Sequence, residues 1–96
     1  MNVNDRIASV LDTHVRNAEQ HVAKLRRDLR VFAASARQHA DQIVAAIDAG
    51  GTDDEPFVWL TERVGEINHQ NSRLVEATAQ LERLRELARV VGGDAS

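Results

Sequence analysis

The chain has no cysteine, no tyrosine and a single proline, and its only aromatic residues are Phe32, Phe57 and Trp59. Without cysteine there is no disulfide framework, no thiol nucleophile and no cysteine-based metal site, so stability must come from burial and from partners. Scarce aromatics and an absence of alternating apolar and polar residues argue against a sheet. The 43% hydrophobic content is mostly Ala, Val, Leu and Ile, which suits close helix packing and points to an all-α class. No run of about eighteen apolar residues occurs, so membrane insertion is not expected. The opening residues Met1 to Arg6 lack the basic and apolar regions of a secretory signal, and a cytoplasmic location is expected. A net charge of −3 gives no global attraction for nucleic acid. The preference for Ala, Arg, Val and Asp over Lys, Ile and Asn suggests a GC-rich bacterial coding sequence.

What the chain does have is a long seam. Ala8, Leu11, Val15, Ala18, Val22, Leu25, Leu29, Phe32, Ala36, His39 and Ile43 alternate at spacings of three and four, and only His39 interrupts the apolar stripe. A second seam reads Phe57, Leu60, Val64, Ile67, Asn71, Leu74, Thr78 and Leu81. Two such helices joined by one turn make an antiparallel helical hairpin. The expected boundaries are a helix over about 4–49, a turn over 50–53, a helix over about 54–91 and a tail over 92–96, all in one domain spanning 1–96. Asn2 or Asn4 is the expected cap of the first helix. Gly50-Gly51 supplies the left-handed conformation that ends it. Thr52 or Asp53 caps the next, Asp54 and Glu55 favour its positive end, and Pro56 fits a first helical turn. Gly92-Gly93 is the expected stop.

A fold-back centred between Gly51 and Asp54 sets Ile43 beside Leu60 and Val64, His39 beside Glu66 and Ile67, Phe32 beside Leu74, and Leu25 beside Leu81. The basic run Lys24, Arg26, Arg27 and Arg30 then lies near Glu76 and Glu82, and is expected to pair with them and stay solvated rather than to bind phosphate. Arg16 and Glu19 fall near Arg89 and Glu86. Asn71 and Thr78, at core-facing positions, are expected to fix register at a cost in stability.

Two features point beyond a lone hairpin. Apolar residues flank both stripes more widely than a two-helix seam needs. The longer first helix also overhangs the second, leaving Val3, Ile7, Val10 and Leu11 without an intramolecular cover. The expectation is dimerisation into a four-helix bundle, or docking onto another helical protein, with Ile7, Val10 and Leu11 at the overhang and Val58 and Trp59 near the turn as contact residues.

Chemistry is confined to the histidines. Glu66 and His69 form a Glu-x-x-His pair, and His39 is expected opposite them, so a ferritin-like metal site built on His39, Glu66 and His69 is the alternative function. The first helix offers only Gln38 and Gln42 beside His39 and no facing carboxylate, so no cofactor or metal is the primary expectation. His14 and His21 share a face near Glu19, as a solvated edge. Ser9, Ser35 and Ser72 have no acid–base partners, no strained turn and no oxyanion donors around them, and Gly50-Gly51 follows no strand. The expected function is therefore a non-catalytic interaction module.

In length and topology the chain is similar to the small helical-hairpin substrates of the actinobacterial type VII secretion system, a further alternative. Those substrates carry a Trp-x-Gly turn, whereas Trp59 stands in Val58-Trp59-Leu60 within the second helix, and their C-terminal tyrosine-based export signal has no counterpart here.

Overall fold

The computed structural model describes residues 3–51 and 54–94. It contains two helices, α1 (Val3–Asp48) and α2 (Asp54–Asp94), packed against each other as a hairpin, with no strand among the described residues. The expected class and architecture are those observed. Along the hairpin the chain forms two compact units, a turn unit over 25–73 and an end unit made of 1–24 with 74–96.

The turn is built by backbone hydrogen bonds at the end of α1. Gly50 has φ +82°, its N–H donates to the Ile47 carbonyl at 3.0 Å, and the Gly51 N–H donates to the Ala46 carbonyl at 3.0 Å. This paired closure satisfies carbonyls that the helix end would otherwise leave open, and the left-handed residue turns the chain out of the helix axis. Thr52, Asp53 and Asn2, expected as caps or turn residues, lie outside the described residues, and Asn4 stands within α1 rather than at its cap. At the other end α2 does not stop at Gly92-Gly93 but runs to Asp94. A helical glycine costs only about 1 kcal/mol relative to alanine, and Gly92 has no positive φ that would force a stop.

The α1 stripe is as expected from Leu11 onward: every member through Ile43 is buried or half-buried, and only Ala8 is exposed. The α2 stripe is not. Leu60, Ile67, Leu74 and Leu81 are covered, but the residues between them that turn inward are Arg63, Gln70 and Ala77, whereas Val64 and Asn71 are exposed and Thr78 is half-buried. The assignment of Asn71 to the core is thus corrected. Helical phase explains the shift. Both stripes share the four leucine and isoleucine positions, but beyond Leu81 the observed one continues through half-buried Leu84, Ala88 and Val91, whereas the expected one would take Arg85 and Gly92 inward. A continuous helix keeps one phase, so burying Leu84, Ala88 and Val91 carries Gln70 and Arg63 into the seam.

The core that results is thin. Val22, Leu25, Ile43, Ala77 and Leu81 are the buried apolar residues among those described, Leu25 deepest at 2% exposure.

Candidate interaction surface

In the turn unit, polar cross-contacts occupy one side of the seam. Arg63 is half-buried and donates from Nε to Ser35 Oγ at 3.0 Å and from Nη1 to Glu66 Oε1 at 2.6 Å. His39 packs its ring against Trp59 with centroids 5.5 Å apart and planes tilted by 56°, while its Nδ1 lies 3.2 Å from Gln42 Oε1. His39 therefore meets α2 about two helical turns nearer the bend than Glu66, where the fold-back had been expected to place it. The bend is centred close to Gly50 because the glycine closure reverses the chain immediately after α1.

That displacement undoes the expected convergence of His39, Glu66 and His69. Glu66 is held by the Arg63 guanidinium, His39 by Trp59 and Gln42, and His69 is exposed. Among the described residues no group of three or more His, Asp or Glu side chains is placed to hold a metal ion. The seam also contains two acceptors without donors: Glu66 Oε2 and Gln70 Oε1 are both buried and unpartnered.

The end unit brings several expected contact residues together. Ile7, Val10 and Leu11 line one apolar groove of about 250 Å³ with Arg6. Val3, Ile7 and Val10 are exposed by 71%, 43% and 56%, whereas Leu11 is half-buried. The 3.9 Å pair between Arg85 and Glu19 sets the level of the two helices here. α1 is the longer helix, 46 residues against 41 in α2, and Val3, Ile7 and Val10 near its start are exposed. His14 and His21 line a second cavity of about 240 Å³ with Gln80 and Leu84.

Charge pairing is sparser than expected. Glu19 pairs with Arg85 rather than Arg89, Arg16 bonds Asp12 on its own helix, and Arg89 pairs with Glu86. Among the described residues none of Lys24, Arg26, Arg27 and Arg30 forms an ion pair with Glu76 or Glu82; all six side chains are exposed. Exposed ion pairs gain little over hydration, so nothing compels these side chains to meet.

Most of the apolar surface faces outward. Val31, Val44, Ile47, Phe57, Val58, Trp59, Val64, Val75, Leu87 and Val90 are between 42% and 65% exposed. No helix among the described residues is long and apolar enough to cross a membrane. No protein-family model, no curated protein and no solved structure matches the chain. Its function must be argued from these residues.

Proposed function

We propose that the protein is a small, non-catalytic helical interaction module of the cytoplasm, which self-associates or docks onto a helical protein partner through its exposed apolar side chains. The observation that carries this reading is the imbalance between inside and outside: among the described residues thirteen large apolar side chains are exposed and five apolar residues are buried. Isolated exposed valines are ordinary on a monomer, but Ile7, Val10 and Leu11 share a groove, and Phe57 and Val64 share a face of α2. Covering a half-exposed Val, Ile or Phe contributes about 1 kcal/mol, so a handful of such contacts matches the stability of a small domain. Helices are the expected partners because apolar side chains at three-and-four spacing along a helix face accept another helix with the same spacing.

Light scattering on untagged protein between 1 and 100 μM should find a dimer or larger species that dissociates on dilution. A monomer throughout the range with a cooperative melting curve would refute the self-associating form of the reading.

A further inference from the structure

The corrected phase of α2 leaves a second stripe outside the seam. Phe57, Val64 and Asn71 recur at intervals of seven, exposed, and the neighbouring outward positions Val58, Thr61, Gly65, Asn68 and Ser72 carry no charge. All of them lie in the turn unit. On α1 of the same unit, Ala33, Ala40 and Ile47 recur with the same spacing, Ala33 and Ile47 exposed and Ala40 half-buried. The contacts of Ser35 with Arg63 and of His39 with Trp59 place those residues on one side of the hairpin. In an antiparallel pair with a common seam, the two stripes therefore lie together on the opposite side. The turn unit is two-faced. One face carries Glu66, Arg73, Trp59 and Gln42; the other is uncharged along α2, with alanines on α1 beside larger side chains on α2.

We propose that a second copy of this chain covers the face formed by Ala33, Ala40, Ile47, Phe57, Val64 and Asn71, with its α2 lying on α1 and its α1 on α2 about a two-fold axis parallel to the helices. The inference rests on the proposed self-association and adds its surface and symmetry. Two observations favour this occupant. The face is self-complementary in size. An axis parallel to the helices keeps every residue at its own level, so the Phe57 and Val64 ridge of one copy meets the Ala40 and Ala33 trough of the other, and both contacts are made twice. Charge selects the same arrangement. Arg30 and Arg37 edge the α1 side, exposed and without an ion pair among the described residues. Stacking α1 on α1 would bring four arginines together, whereas stacking α1 on α2 sets them against the hydroxyl of Thr61 and the amide of Asn68.

The absence of native cysteine makes a direct test available. Chains carrying A40C and chains carrying T61C, mixed and oxidised under mild conditions, should yield a disulfide-linked heterodimer, with much less product from either variant alone. In parallel, V64E should weaken association by about 100-fold or more, since each dimer carries the buried charge twice. V31E, placed on another face of α1, should leave association unchanged. Circular dichroism matching the parent would show that each variant folds, and the cross-link reports on the face without any added charge. A dimer that V64E does not weaken, or that forms A40C homodimers as readily as the mixed product, would overturn this face and symmetry while leaving self-association standing. A parent chain that stays monomeric at 100 μM would overturn both.

Discussion

Replacing Gln70 by methionine should stabilise the protein. The side chain stands in the seam between Ile67 and Leu74, half-buried, and its Oε1 is buried with no donor in reach. An unpaired buried acceptor costs about 1–3 kcal/mol, and because Gln70 is only partly covered the lower end applies. Methionine has a similar unbranched length and adapts to irregular gaps, so little packing is lost. The expected gain is about 1 kcal/mol, equivalent to about 4–8 °C in melting temperature for a chain of this size. Urea unfolding followed by circular dichroism measures it, with all variants at one chain concentration because assembly makes the midpoint concentration-dependent. The slope of free energy against urea should not change, since the surface exposed on unfolding is nearly the same. Gln38→Met makes the same chemical change at an exposed position of α1 and should shift stability by less than about 0.5 kcal/mol. If Gln70→Met is neutral or destabilising while Gln38→Met is neutral, the amide is bonded in the seam, and its assignment as an unpaired polar group is refuted.

Leu25→Ala should cost about 3–4 kcal/mol, because Leu25 is the most buried side chain among the described residues and a leucine cavity in a two-helix core has few neighbours to fill it. Against the roughly 5–14 kcal/mol expected for 96 residues this is a large share, and a loss below about 1 kcal/mol in the urea midpoint would refute the position of the core. Gly50→Ala should cost about 1–2 kcal/mol from the left-handed backbone alone, since a side chain there would meet no atom within 4 Å. Gly51→Ala, equally unobstructed and without a positive φ, should cost distinctly less; equal losses would show that the turn does not depend on the Gly50 conformation.

The helices, the turn and the α1 seam were legible because each rests on a local signal with one solution. On α1 the row next to the stripe opens with Asp12, Glu19 and Arg26 and turns apolar only at Ala33, Ala40 and Ile47, so over the first half of the helix no rival phase competes. The same cannot be said of α2, where Leu60, Ile67, Leu74 and Leu81 fit two phases and local hydrophobicity favours the one with Val64 over the one with Arg63. The deciding residues lay further along the helix, in Leu84 and Val91 against Arg85 and Gly92, and following the spacing past Leu81 would have found them. The expected placement of His39 opposite Glu66, on which the alternative metal site rested, differs for another reason. It depended on the level at which two helices meet, and one heptad of uncertainty in the bend moves His39 from Glu66 to Trp59.

The phase that sequence hydrophobicity favours and the phase that the hairpin adopts differ in a way that bears on function. Near the bend the local pattern alone would place Val64 inside and Arg63 outside, and natural sequences tend to make local pattern and global packing agree; here the helix forgoes it to cover Leu84 and Val91 further along. Here Arg63 and Gln70 are turned inward, one supported by Ser35 and Glu66 and the other left with a bare acceptor, while Phe57 and Val64 stand exposed beside them. The arrangement costs the isolated hairpin stability. It becomes consistent with the rest of the sequence if the displaced stripe is itself a contact surface, for then both phases of α2 are used, one toward α1 of its own chain and the other toward α1 of a second.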